Sequence, residues 1–351
     1  MSLETSDIRA GEELPIDSLT EFLGGHAGLK GDVGIRQFPA GSSNLTYLMS
    51  VGPEEYVLRR PPFGNTVKTA HDMRREFEVL SKLSAVYQPA PKPILFCNDD
   101  SVIGAEFYLM ERRRGLIIRS RAPEALENST DLQRAVCESF VQNLAALHAL
   151  DYQAAGLGEL GRPEGYCRRQ VEGWTKRYLA AKTHEWRELE SSIAWLNGNI
   201  PAESGASLVH NDYKFDNIML NAGDLTKITA VLDWEMVTVG DPLMDLGTTL
   251  GYWMSREAGD EMLNMPFNPR VLMENISRAE LVEMYAGASE RDVQNILFYY
   301  VFGTFKIAVI AQQIYARYVK GFTNDVRFAS FDSFVEALGV IAASSIQRKS
   351  L

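Results

Sequence analysis

The stretch Leu208-Val209-His210-Asn211-Asp212-Tyr213-Lys214-Phe215-Asp216-Asn217-Ile218-Met219-Leu220 decides how this chain is read. Short apolar runs at 207–210 and 218–220 read as strands. The first delivers the pattern His-x-Asp, and Asn217 follows Asp212 by five residues. A further apolar run at 229–233 ends on Asp233. Two carboxylates and one amide therefore leave the ends of short strands within one tight stretch.

This β island sits inside a largely helical region. Helices are expected at 132–150, 166–183, 185–197, 277–287, 290–319 and 328–347, from apolar residues at helical spacing. Upstream the pattern differs. Strands are expected at 33–38, 45–51, 55–60, 94–97 and 106–110, and the first two are joined by a Gly/Ser/Asn turn. One helix is expected at 69–83, where Met73, Phe77 and Leu80 share a face. Ser18 and Glu21 form a capping-box pattern for a short helix ending at Gly24-Gly25. The expected fold is α+β with two lobes: residues 1–112 form a small antiparallel sheet with one helix, and residues 113–351 form a larger, mainly helical lobe.

Composition narrows the function. The 351 residues are 46% hydrophobic, enough for a large core, and the formal net charge is -11. That balance argues against a nucleic-acid partner held by a broad basic surface. Cys97, Cys137 and Cys167 have no zinc-ligand spacing and fit a reducing compartment. The acidic, polar start MSLETSDIRAGEELP is unlike a secretory leader, so a cytoplasmic location is expected. The most apolar stretch, 296–314, is interrupted by Lys306, Gln312 and Gln313. A membrane span needs about 20 apolar residues with few polar ones, so a buried helix is expected here and no membrane partner.

The carboxylates and the amide suit phosphoryl transfer. One carboxylate orients the attacking hydroxyl and accepts its proton. A second carboxylate and an amide oxygen suit Mg²⁺, a hard cation that prefers oxygen. The spacing H-x-D-x-x-x-x-N with a later Asp after an apolar strand matches the protein-kinase signature.

The chain resembles the aminoglycoside phosphotransferase family of the protein-kinase-like superfamily, over about residues 28–345. His210-Asn211-Asp212 through Asn217 resembles its catalytic loop, Asp233-Trp234-Glu235 its metal motif, and Gly240-Asp241-Pro242 with Asp245-Leu246 the run that follows. The resemblance implies Asp212 as catalytic base, Lys214 as a charge-neutralising residue, and Asn217 and Asp233 as Mg²⁺ ligands, with Glu235 near the metal. It implies Asp241 as a helix cap and Asp245 as an acceptor for the catalytic loop. In the first lobe, Gly41, Ser42, Ser43 and Asn44 resemble the phosphate-covering loop, although only one glycine is present. Arg59 stands where kinases carry a phosphate-binding lysine, with Glu76 as its helix partner. Strand alternation puts Val57 on the same face, over the adenine. Met110 and Arg112 fall in the hinge-like run. ATP or GTP would be the co-substrate and a small molecule the acceptor; the oligomeric state is left open.

A narrower resemblance joins Val57-Leu58-Arg59-Arg60-Pro61-Pro62 with His210-Asn211-Asp212 and Tyr315-Ala316-Arg317. It is similar to the kinase-like domain fused to some acyl-CoA dehydrogenases, a group associated with phosphorylating hydroxy acids or their acyl-CoA esters.

Other residues have plainer readings. His210 reads as scaffolding, His148 as a helix-end or core histidine, and Arg112-Arg113-Arg114 as a solvated charge run. Trp174, Trp186, Trp195 and the aromatics from Tyr299 to Phe305 read as packing. Three rivals stand beside the small-molecule kinase: a protein kinase, a catalytically idle nucleotide-binding or scaffold protein, and a nucleotidyl transferase. The short run from Asp233 to Gly240, with no A-P-E-like segment, argues against the first.

Overall fold

The structure is a computed structural model and describes residues 5–26, 28–39, 44–63, 72–323 and 325–351. It divides into two compact units, Met1–Arg114 with Ala230–Glu235, and Gly115–Thr229 with Met236–Leu351. The segment Ala230–Glu235 packs with the first unit. Val231 N–H donates to the Pro89 carbonyl at 2.8 Å, and Trp234 meets Tyr87 edge-on at 5.9 Å between centroids.

The first unit contains α1 (Ile16–His26), β1 (Val33–Gln37), β2 (Leu45–Val51), β3 (Glu54–Arg60), α2 (Met73–Leu83), β4 (Pro93–Cys97), α3 (Asp100–Ile103) and β5 (Phe107–Glu111). Among the described residues the strands form a five-stranded sheet in the order β1-β2-β3-β5-β4, antiparallel throughout. This central position explains why β3 departs from simple alternation and buries its last four residues in a row. Leu58 joins a core cluster with Tyr47, Phe107, Leu19 and Leu23, while Arg59 turns to the opposite face.

Two expectations need correction here. The helix α1 begins directly after Pro15, whose carbonyl accepts from Leu19 N–H at 3.1 Å, and it runs through Gly24 and Gly25. Ser18 is therefore inside the helix and not its cap. Glycine inside a helix costs about 1 kcal/mol, which burial of Leu19 and Leu23 outweighs. The sheet thus carries α1 as well as α2. The helix α2 starts at Met73 because the Asp72 side chain accepts from Arg75 N–H at 2.8 Å. The rest of its expected first turns falls in 64–71, outside the described residues.

The second unit begins with β6 (Leu116–Ile117), α4 (Glu124–Glu127), α5 (Thr130–His148), α6 (Tyr166–Ala181) and α7 (Arg187–Gly198). The β island follows as β7 (Ser207–Val209), β8 (Ile218–Asn221), β9 (Asp224–Val231) and β10 (Thr238–Gly240). The chain closes with α8 (Pro242–Tyr252), α9 (Asp260–Leu263), α10 (Arg270–Asn275), α11 (Arg278–Ser289), α12 (Ile296–Val319) and α13 (Phe331–Arg348). The strand β7 pairs with β10, and β8 lies between β6 and β9. At two or three residues, β6 and β10 are too short to show periodicity. The helix α12 starts later than expected because Glu290, at φ 55°, ends α11 in the left-handed region.

The helix α12 is the hub of this unit, with α8, α13, α6 and α7 packed on it. By length and composition α12 is apolar enough to cross a membrane, as is the segment Val326–Arg348, but 78% of the α12 window is buried within the protein. Gly303 permits the close approach of α12 to α8, because a Cβ there would land on the Gly247 carbonyl.

Candidate active site

The loop that follows β7 is held from below by α8. Asp245, fully buried, accepts from His210 N–H at 2.6 Å and from Asn211 N–H at 2.7 Å. Its carboxylate also lies 3.1 Å from His148 Nε2, and His148 Nδ1 lies 2.7 Å from the Tyr285 hydroxyl. Burial would raise the Asp245 pKa, but its bonds to His148 and to the His210 backbone outweigh this and hold it below the ordinary range. His148 is thus a core histidine. Asp241 caps α8 by accepting from Leu243 N–H at 2.8 Å.

This grip presents the carboxylate of Asp212. The preceding residue, Asn211, sits at φ 68°, a left-handed conformation that Asn tolerates better than most residues. Asp212 N–H donates to His210 Nδ1 at 3.2 Å, so His210 supports the loop. Oδ2 of Asp212 accepts from Lys214 Nζ at 2.5 Å and from Asn217 Nδ2 at 2.8 Å. Oδ1 accepts from the Tyr252 hydroxyl at 2.7 Å. Burial works to neutralise Asp212, but Lys214 and the Tyr252 hydrogen bond prevail and keep its pKa below the usual aspartate value. Lys214 lies over the Tyr252 ring at 4.7 Å. Further along, Asp216 pairs with Arg119 at 2.6 Å, and Asn268 Oδ1 accepts from Phe215 N–H at 3.0 Å.

The remaining candidate residues belong to the first unit. Val57 lies directly opposite Met110 across β3 and β5. Arg59 Nη2 lies 3.5 Å from Glu76 Oε1 and 3.3 Å from Asp233 Oδ1. Burial works against the Arg59 charge, but Glu76 and Asp233 beside it more than compensate, and the guanidinium stays cationic. Arg60 faces the other way: its Nη1 donates to the Ile103 carbonyl at 2.8 Å and its guanidinium covers Phe63 at 3.7 Å. Asp233 has φ 66°, a second strained residue at the end of an apolar strand. Asn44 Nδ2 donates to Glu235 Oε2 at 2.9 Å, and Arg75 Nη1 donates to the Glu235 carbonyl at 3.0 Å. Arg112 lies over Phe38 at 5.2 Å; Arg113 and Arg114 pair with Glu111 and Glu55. Gly41, Ser42 and Ser43 lie outside the described residues.

The donor chemistry suits a hard cation. In the second unit, the Asn217 amide nitrogen is engaged by Asp212, which leaves its carbonyl oxygen able to serve a metal; in the first unit, Asp233 carries a carboxylate beside Arg59. Among the described residues no group of three or more His, Cys, Asp or Glu side chains converges. Mg²⁺ does not require one, since it binds through one or two carboxylates plus phosphates and water.

Sequence reading overlooked Tyr252, Asn268 and the bond that Lys306 Nζ donates to the Asn211 carbonyl at 2.6 Å. Tyr252 and Asn268 carry no motif. Lys306 did give a signal, as a lone charge inside the most apolar helix.

Residues 34–271 match the phosphotransferase enzyme family. The chain belongs to that family. Acyl-CoA dehydrogenase family member 11 of Rattus norvegicus is 35% identical over 346 residues, covering 95% of this chain and 43% of that protein. The chain thus spans less than half the length of the curated relatives it matches. A solved protein from Ralstonia eutropha, described as a candidate aminoglycoside phosphotransferase, is 29% identical with a TM-score of 0.80, covering 96% of this chain and 99% of that one. Choline kinase from Cryptosporidium parvum, 12% identical, has a TM-score of 0.63 over 90% of each chain and shares the fold alone. The phosphotransferase family membership and these neighbours establish a kinase-like fold of mixed helix and sheet.

Proposed function

We propose that this phosphotransferase moves the γ-phosphoryl group of ATP, or GTP, to a hydroxyl group of a small molecule. The observation that carries the reading is the convergence of Lys214, Asn217 and Tyr252 on the Asp212 carboxylate. A carboxylate kept ionised in this way is a weak base but a good acceptor for the hydroxyl proton. That suits a loose phosphoryl-transfer transition state, where orientation matters more than early proton removal. The acceptor hydroxyl would take the place of Lys214 on Oδ2, freeing the ammonium to meet the transferred group. Asn217 and Asp233 would hold Mg²⁺, which neutralises charge on the phosphates when bound.

Arg59, oriented by Glu76, would contact the nucleotide phosphates. Val57 and Met110 would border the base, with Arg112 beside the hinge. The buried, unpaired cysteines support a cytoplasmic setting. The acyl-CoA dehydrogenase relatives favour a hydroxy acid or its CoA ester as the first acceptors to try.

The test is a screen of hydroxylated metabolites, including hydroxy acids and their CoA esters, with Mg²⁺ and ATP or GTP. A mass gain of one phosphoryl group on a single acceptor class supports the reading. Metal-dependent nucleotide binding without turnover across the panel would instead favour an idle nucleotide-binding protein. A gain of a nucleotidyl group would sink phosphoryl transfer.

A further inference from the structure

Lys306 is 1% exposed in the middle of α12, among Phe302, Phe305 and Val309. A buried ammonium is costly unless it is paired. Its Nζ donates to the Asn211 carbonyl at 2.6 Å, lies 3.4 Å from Asn211 Oδ1, and stands 5.7 Å from the Trp174 ring. The Asn211 carbonyl belongs to the peptide that leads into Asp212. The other edge of that peptide, Asp212 N–H, is held by His210 Nδ1. One residue back, Asn211 N–H is held by Asp245. Asn211 N–H, the Asn211 carbonyl and Asp212 N–H are therefore each held, and Lys306 supplies the ammonium that holds the carbonyl. The approach of α12 to α8 at Gly303, one turn before Lys306, brings the lysine and Asp245 to bear on the same loop.

We propose that Lys306 is a positioning residue for Asp212, and that phosphoryl transfer declines when the Lys306 ammonium loses its proton. The proposal rests on the reading of Asp212 as the group that orients the acceptor. Burial draws the Lys306 pKa down to about 8. Asp245 of α8 and Asp212 of the loop pull it up, while Lys214 of the loop and Arg177 of α6 push it further down. The charged form that holds the Asn211 carbonyl thus prevails below that pH and is lost above it. Lys306 touches neither nucleotide nor acceptor in this scheme and acts through the loop alone.

The test needs no acceptor. It measures release of inorganic phosphate from Mg²⁺–ATP to water, from neutral to mildly alkaline pH, together with nucleotide affinity. The wild type should slow as pH rises through about 8. Lys306→Arg, whose guanidinium keeps its proton, should hold its rate through the same range. Lys306→Met should be slower by about tenfold or more at neutral pH, with nucleotide affinity unchanged. A Lys306→Met enzyme with the wild-type rate and the wild-type alkaline limb overturns the proposal. Should Lys306→Met not fold, Lys306→Arg decides alone, and an unshifted limb overturns it. Amide exchange at Asn211 and Asp212 in the wild type, corrected for intrinsic pH dependence, gives an independent readout. Protection should fall above the same pH, and constant protection counts against the proposal. Asp212→Asn is the control for the underlying reading: if it keeps the wild-type rate, the assignment of Asp212 fails, whatever Lys306 does.

Discussion

The Tyr252 hydroxyl donates a 2.7 Å hydrogen bond to Oδ1 of Asp212 from the last residue of α8. It leaves Oδ2 as the oxygen that faces Lys214 and Asn217. Tyr252→Phe keeps the ring under Lys214 and deletes only this bond. A hydrogen bond to a charged group contributes about 1.5–3 kcal/mol, so turnover should fall by roughly ten- to a hundredfold if orientation is limiting. Steady-state kinetics with the acceptor found by screening would check this, and an unchanged turnover would remove Tyr252 from the site.

Asp212→Asn should slow turnover by about a hundredfold or more while leaving nucleotide affinity nearly intact. The amide keeps the shape of the carboxylate but repels Lys214 or loses its bond. Parallel measurements of turnover and nucleotide binding separate the two effects. Near-normal turnover on the true acceptor would rule out Asp212 as the orienting group.

Asn217→Ala and Asp233→Ala should each weaken Mg²⁺-dependent nucleotide binding. Their combined loss should be smaller than the sum, because both are proposed to serve one metal. A double-mutant cycle on nucleotide affinity at fixed Mg²⁺ measures the coupling. Fully additive losses would mean that the two residues do separate jobs.

Arg59→Ala should weaken nucleotide binding more than Arg60→Ala. The two arginines leave opposite faces of β3: Arg59 turns to Glu76 and Asp233, and Arg60 turns to the Ile103 carbonyl. Arg60→Ala should instead lower thermal stability by about 1–3 kcal/mol, by leaving a buried carbonyl without its donor. The reverse order in a binding and melting series would contradict both assignments.

Asp245→Ala should destabilise the protein by about 2–5 kcal/mol, since it strips partners from two backbone N–H groups and from His148 at once. The pH dependence has a definite sign. Asp245 is held below its ordinary value of 3.8, so its contribution is fully present above that value and is lost as pH falls through the depressed one. The difference in melting temperature between wild type and Asp245→Ala should shrink on acidification through that window. A difference independent of pH would show that the Asp245 charge is not what holds the loop.

Much of the sheet was legible because its signals are local. The Gly/Ser/Asn-rich run at 39–44 of the sequence separates two apolar stretches, and both appear as β1 and β2 with nearly the expected bounds. Arg59 and Val57 share a face because strand side chains alternate. Boundaries failed where tertiary packing overrode local signals. Gly24 and Gly25 did not end α1, because Leu19 and Leu23 bury against the sheet. The strands β6 and β10 escaped because two or three residues carry no period.

The sequence by itself pointed to the main strands and helices of each unit and, through spacing, to the candidate set Asp212, Asn217 and Asp233, while the family resemblance pointed to the acids at 241 and 245. The tertiary structure alone decided what touches Asp212 and what holds its loop. Tyr252 lies forty residues beyond Asp212 in the chain, and Lys306 lies ninety-five beyond Asn211. No local pattern links such positions. Their meeting follows from the close packing of α12 on α8 at Gly247 and Gly303, a consequence of two helices folding against each other.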